Sequence, residues 1–228
     1  MPTRRIKASP VKVTGTAPDG QQFESTLEED FFILLRFNRL VAGFESQPLT
    51  LNWLDEKNKI RDYTPDVLIH YRTDLPEAAN LPPMLCEVKP DSNDGSESPR
   101  RRRPPRKEHE AENRLKWAAA EIHASRQGWH FKVFRESEIR TLYLKNARFL
   151  LRFLERPVDS KYEAGLLEHI RKWGQLTLRD WAATIGSTPE RRAQVLPACY
   201  GLIARQLVDV DLSVPLSLDS VVKAQPDA

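Results

Sequence analysis

The stretch RDYTPDVLIHYRTDLPEAANLPPMLCEVKPD, from Arg61 to Asp91, holds three residues that could do chemistry together. Asp66 follows Pro65, and Glu87 and Lys89 close a later apolar run. Acids and lysine fit poorly on a pleated, half-buried surface, so strand-end positions suggest a use other than packing. Side chains two apart on a strand share a face. Leu85, Glu87 and Lys89 are therefore expected on one side, and Met84, Cys86 and Val88 on the other, in the core. If the run after Pro65 pairs beside this one, Asp66 comes close to Glu87. Two carboxylates at one point suit Mg²⁺, which takes few carboxylates and completes its shell with water and phosphate oxygens. A lysine alongside can orient or deprotonate water and offset charge developing on a phosphate. Metal-assisted phosphodiester hydrolysis needs this set of residue types. The plainer alternative is an exposed strand end with a Glu/Lys pair.

The elements that must position these residues are legible around them. Ser25 followed by Glu28 fits a capping box, and Leu27, Phe31, Leu34 and Leu35 supply an apolar stripe, predicting a helix over Thr26–Phe37. Phe44–Trp53 alternates around a proline and reads as a strand, as do Val67–Tyr71, Met84–Lys89 and Trp129–Phe134. Pro76, Asn80, Pro82 and Pro83 mark a loop between the second and third of these. Glu108–Gln127 carries Leu115, Ala118, Ala119 and Ile122 at helical spacing, with Gly128 closing the helix. One or two helices follow in EIRTLYLKNARFLLRFL. The order predicts an α/β layer with a mixed central sheet flanked by helices.

Beyond Pro157 the pattern changes. Helices are expected over Tyr162–Trp173, Leu178–Ile185 and Pro189–Gln206, with Thr177 and Ser187 as N-caps and Pro197 kinking the third. Val208–Val222 reads as a short ribbon, completing a small winged-helix-like domain. The expected division is therefore a basic arm over 1–22, an α/β domain over 23–157 and the small domain over 158–228. Residues 91–107 lack apolar side chains and read as a flexible basic loop.

Composition narrows the class. The chain has 228 residues, 40% hydrophobic and 29% charged, enough apolar material for a core. The net charge is only +3, but Arg100, Arg101, Arg102 and Arg103, with Arg106 and Lys107, form a basic block that could grip backbone phosphates. Gln47 could touch a scissile phosphate or a water, or pair with a sheet edge. Cys86 and Cys199 have no ligand spacing and read as reduced core thiols of a cytoplasmic protein. Trp117, Trp129, Trp173 and Trp181 read as packing residues. Lys116 could reach the cleft but reads as ordinary helix surface. No apolar run is long enough for a membrane span.

The set Pro65-Asp66, Glu87 and Lys89 resembles the PD…(D/E)xK motif of restriction-endonuclease-like nucleases. In order along the chain, FESTLEEDFFILLRF, FESQPLTLNW, RDYTPDVLI, LCEVKP, GWHFKVFRESEIR and LKNARFLLRF resemble TnsA, the endonuclease subunit of heteromeric transposases. The similarity runs from about Phe23 to Phe153 and continues more loosely into DLSVPLSLDS. It implies a restriction-endonuclease-like fold and Mg²⁺, with Mn²⁺ as a substitute. It implies catalytic Glu28, Asp66, Glu87 and Lys89, with Asp66, Glu87 and Glu28 holding metal. Some TnsA proteins have glutamine where Glu87 stands, which ranks it below Asp66. Glu28 doubles as a capping-box residue, and Glu29 is the alternative helix acid.

The resemblance further implies cutting of the 5′ strands in double-stranded DNA at transposon ends. A DDE-type, TnsB-like transposase would cut and join the 3′ strands, and an AAA+, TnsC-like ATPase regulator would dock on the C-terminal domain. The rivals are a standalone restriction or repair nuclease, which would cut without partners, and a non-catalytic adaptor with vestigial nuclease residues.

Overall fold

The N-terminal half is organised by a strand buried on both faces. In the computed structural model, which describes residues 14–17, 20–91, 107–154 and 160–225, the first elements are β1 (Gly15–Thr16) and β2 (Gln22–Phe23), an antiparallel pair. Helix α1 (Thr26–Phe37) follows. Its N-cap Ser25 is extended, and the Ser25 hydroxyl accepts the Glu28 N–H, as the capping box predicts. Leu27, Phe31, Phe32 and Leu35 are buried along one face. Truncating a fully enclosed phenylalanine such as Phe32 to alanine costs about 3–5 kcal/mol.

Next come β3 (Val41–Ser46), β4 (Leu51–Leu54), β5 (Ile60–Tyr63), β6 (Val67–Tyr71) and β7 (Met84–Lys89). Helix α2 (Lys107–Arg126), β8 (His130–Arg135) and α3 (Glu136–Ile139) complete this half. The main sheet has the order β3-β6-β7-β8. Its first two pairings are antiparallel and β7–β8 is parallel, so the sheet is mixed as expected. The single strand predicted over Phe44–Trp53 is divided between β3 and β4. Gln47 takes φ +48° and Pro48 follows, which turns the chain out of the sheet. Strand β4 then forms a separate hairpin with β5, an element whose charged composition hides it in the sequence.

Both faces of the sheet are covered. Against one lie α1 and α3, with Val67, Ile69, Cys86, Val88 and Ile139 in that core. Against the other lie α2 and the β4–β5 hairpin, with Leu68, Leu85, Ala120 and Ala124. The face carrying Leu85 and Glu87 is therefore a second core rather than an open surface, as expected of a central strand with layers on both sides. Helix α2 is also rotated from its expected setting. Ala120 and Ala124 point inward, while Leu115 and Ile122 are exposed. Small residues at a spacing of four let the helix approach the sheet closely. Trp117 and Trp129 pack against this core, in line with the sequence reading.

The compact units are Met1–Ile139 and Arg140–Ala228. The second contains α4 (Leu142–Leu154), α5 (Ser160–Trp173), β9 (Gln175–Thr177), α6 (Leu178–Ala183), α7 (Pro189–Ala204), β10 (Val208–Val210) and β11 (Val221–Ala224). Helix α4, expected before a boundary at Pro157, packs on α7 in this unit through Phe149, Phe153 and Tyr200, whose ring centroids lie 5.0–5.3 Å apart. The ribbon becomes a three-stranded antiparallel sheet, β10-β11-β9. Thr177 caps α6 as predicted. The cap of α7 is Thr188 rather than Ser187, because the Thr188 hydroxyl is the one that accepts the Arg191 N–H. The helix runs through Pro197. Trp181 is fully buried and donates to the Leu166 carbonyl at 2.8 Å, whereas Trp173 is 61% exposed and does not pack the core. Cys86 and Cys199 are buried free thiols. Among the described residues no helix is long and apolar enough to cross a membrane.

Candidate active site

Asp66 sits where β6 begins, and three backbone bonds fix it there. Its N–H donates to the Cys86 carbonyl at 3.0 Å, its carbonyl accepts the Gln47 N–H at 2.8 Å, and its Oδ2 accepts the Val88 N–H at 2.7 Å. Pro65 explains the local geometry. It removes a donor and biases Thr64 toward extended backbone, so ladder pairing stops at Val67 and the carboxylate takes the next N–H of β7. Val67 faces Cys86 in that ladder, which brings Asp66 to the level of Glu87.

Glu87 is 2% exposed and lies on the α2 side of the sheet. Its charge is met on both oxygens. The Tyr63 hydroxyl donates to Oε2 at 2.7 Å, and Lys89 Nζ lies 2.7 Å from Oε1. Lys116 Nζ is 3.6 Å from the same Oε1 and 5.1 Å from the centre of the Tyr63 ring. A buried carboxylate without such partners would cost several kcal/mol or take up a proton, so these contacts are what let the acid reside there.

Glu28 approaches from the first turn of α1. Its Oε2 accepts the Glu24 N–H at 2.9 Å and its Oε1 accepts the Ser25 hydroxyl at 2.8 Å. Burial pushes the Glu28 carboxyl above its ordinary range. The hydrogen bonds from Glu24 and Ser25 and the charge of Lys89 work against that rise. Asp66 is pushed well above the usual aspartate value, first by burial and then by the charges of Glu87 and Glu28, with Lys89 opposing. For Lys89 burial works against the charged form, but Glu87, Asp66 and Glu28 outweigh it and hold the ammonium more firmly than usual. The charge of Glu28 reaches both Asp66 and Lys89.

Glu28, Asp66, Glu87 and Lys89 thus converge at one end of the β6–β7 pair. Gln47 joins them through its backbone, while its side-chain amide donates to Glu24 at 3.2 Å. Arg100, Arg101, Arg102 and Arg103 lie outside the described residues. Two participants were not assigned from the sequence. Tyr63 belongs to β5, whose composition gives no strand signal, and Lys116 has the sequence setting of ordinary helix surface. A signal for Lys116 does exist, since it stands four and eight residues before Ala120 and Ala124, on the face that packs inward.

Among the described residues, no three His, Cys, Asp or Glu side chains are gathered closely enough to hold a metal ion by themselves. The donor chemistry still fits Mg²⁺, which binds through one or two carboxylates with water and phosphate oxygens making up the rest. The surroundings of Asp66 point the same way, because a buried carboxyl beside the charges of Glu87 and Glu28 favours a cation as it favours a proton.

Residues 38–136 match the family model described as TnsA-like endonuclease N terminal. The matched span contains Gln47, Tyr63, Asp66, Glu87, Lys89 and Lys116, whereas Glu28 precedes it. No curated protein matches the chain.

Proposed function

We propose that the chain, whose residues 38–136 match the TnsA-like endonuclease N-terminal model, is the Mg²⁺-dependent DNA endonuclease subunit of a heteromeric transposase, cutting the 5′ strands at transposon ends. A DDE-type partner cuts and joins the 3′ strands. The observation that carries this reading is the convergence of Asp66, Glu87 and Lys89 from adjoining strands of a mixed sheet inside that domain.

Each residue has a part consistent with its surroundings. Asp66 and Glu87 would hold Mg²⁺, with Glu28 contributing from the helix through water, and Mn²⁺ would substitute. When bound, the ion supplies Lewis acidity toward the phosphate and a more acidic water. Lys89, whose charged form its neighbours favour, serves as a fixed cation. It orients the attacking water and offsets the charge that grows on the phosphate oxygens. The backbone clamp on Asp66 and the Tyr63 bond to Glu87 hold the carboxylates in place before substrate arrives, which is the preorganisation that such catalysis exploits.

The second unit has the element order α5, β9, α6, α7, β10, β11 around the sheet β10-β11-β9. That order supports reading it as a winged-helix module, to which we assign docking of the AAA+ regulator. The exposed Trp173 is a suitable anchor, since buried tryptophans are common energetic centres of interfaces.

The test is strand-specific cleavage of transposon-end DNA with Mg²⁺ and the partner subunits. Asp66→Ala and Lys89→Ala should each abolish 5′ cutting while 3′ joining continues, turning simple insertions into linked donor–target products. Retained 5′ cutting by either variant removes the assignment, and cutting by the chain alone favours a standalone nuclease.

A further inference from the structure

Glu87 attracts more positive charge than one carboxylate needs. Lys89 is at hydrogen-bonding distance from Oε1, 2.7 Å, and Tyr63 fills Oε2. Lys116 shares Oε1 from 3.6 Å, beyond a normal hydrogen bond. Yet its side chain is only 18% exposed, so most of its length lies against protein. Helix α2 brings it there. Ala120 and Ala124, fully buried on the same face, let the helix lie close to β7 and carry Lys116 inward. The side chain is thus ordered for a loose contact with an oxygen another lysine already holds.

A phosphodiester group answers that deficit, because its anionic oxygens can accept from more than one cation. The long, freely rotating stem of lysine can make the short move required. Resting on the nuclease reading above, we propose that Lys116 contacts the phosphate at the cleavage site, leaving Glu87 to bond a non-bridging oxygen of the DNA while Lys89 keeps its place. Lys116 is then a second cation at the site, delivered by a helix from the opposite side to Glu28.

The test is equilibrium binding of the full-length chain to a short DNA duplex in Ca²⁺ across a range of salt, followed by cleavage in Mg²⁺ with partners. Lys116→Met keeps length and helix preference but removes the charge. Its log–log salt slope should be shallower by about 0.9, the contribution of one phosphate contact on B-form DNA. Lys116→Arg should retain the wild-type slope. Cleavage by Lys116→Met should fall at least about tenfold, in keeping with loss of one transition-state donor. An unchanged slope in Lys116→Met overturns the proposal and leaves Lys116 a counter-ion of Glu87, as does absence of duplex binding by the wild type. A shallower slope in Lys116→Met, together with a wild type that never cuts, would support the phosphate contact and count against the nuclease reading. Normal cutting and an unchanged slope in Lys116→Met would do the reverse.

Discussion

The Tyr63 hydroxyl donates to Glu87 Oε2 at 2.7 Å, tying the β4–β5 hairpin to a buried charge on a strand of the other sheet. Burial and the neighbouring Glu87 push the phenol well above its ordinary range, so it remains a donor at any pH the protein meets. Tyr63→Phe leaves Oε2 buried without that donor and should destabilise the chain by about 1–3 kcal/mol. In Glu87→Gln the lost charge makes the tyrosine worth less. A double-mutant cycle should therefore show a coupling of roughly 0.5–3 kcal/mol by denaturant unfolding. Simple additivity would mean that the bond does little to hold Glu87.

Glu28 has two jobs that substitution can separate. Glu28→Gln keeps one oxygen to accept the Glu24 N–H, and its amide can donate to the Ser25 oxygen in place of accepting from it, but it loses the charge that reaches Asp66 and Lys89. Its unfolding midpoint should change little while 5′ cleavage drops. Ser25→Ala should behave the other way, costing about 1 kcal/mol through the lost cap and sparing the chemistry. Wild-type cleavage by Glu28→Gln would confine Glu28 to capping.

The Asp66 carboxyl makes stability depend on pH in a definite direction. Its pKa is raised on folding, so the folded state binds the proton more tightly than the unfolded chain does. The resulting stabilisation is fully present below the ordinary aspartate value of 3.8 and is lost as pH rises through the folded value. In metal-free buffer Asp66→Asn should remove this dependence and gain stability relative to wild type as pH rises. Each pKa unit of elevation corresponds to about 1.4 kcal/mol. Added Mg²⁺ should narrow the gap by stabilising only the wild type. Thermal unfolding in EDTA and in Mg²⁺ reads both effects, and a pH-independent gap would show that Asp66 is not under strain.

The boundary between compact units predicts how the chain tolerates truncation. A fragment ending at residue 157 keeps α4 but loses α7, so Phe149 and Phe153 are parted from Tyr200. It should bind a hydrophobic dye and associate in solution. A fragment ending at residue 139 carries no such stripe and should bind less dye at the same concentration. Equal dye binding by both would argue that α4 covers its apolar face in another way.

Much of the candidate site was legible without coordinates because its signals are local. Ser25 and Glu28 mark the start of α1 through hydrogen bonds spanning one turn, and Glu87 and Lys89 share a strand face by the two-residue repeat. The meeting of Asp66 with Glu87 needed only the assumption that neighbouring strands pair. The ordered blocks resembling TnsA also pointed to the domain found at residues 38–136.

What the sequence left open depends on contacts between distant segments. The alternation in Phe44–Trp53 could not reveal that Gln47 turns the chain from one sheet into another, since both halves carry a strand pattern. The inward face of α2 was misjudged because Leu115 and Ile122 outrank alanine in hydrophobicity. Close packing on the sheet instead selected the small side chains, and Lys116 came inward with Ala120 and Ala124. Leu85 and Glu87 have the same alternation whether their face meets water or a second layer. Only the docking of α2 and the β4–β5 hairpin made that face a core, and so turned a strand-end glutamate into a buried charge held by Tyr63, Lys89 and Lys116. Sequence determined which groups were available and which near neighbours they would have. Tertiary packing decided their solvation, and with it the proton affinity of Asp66 and the charge on Lys89.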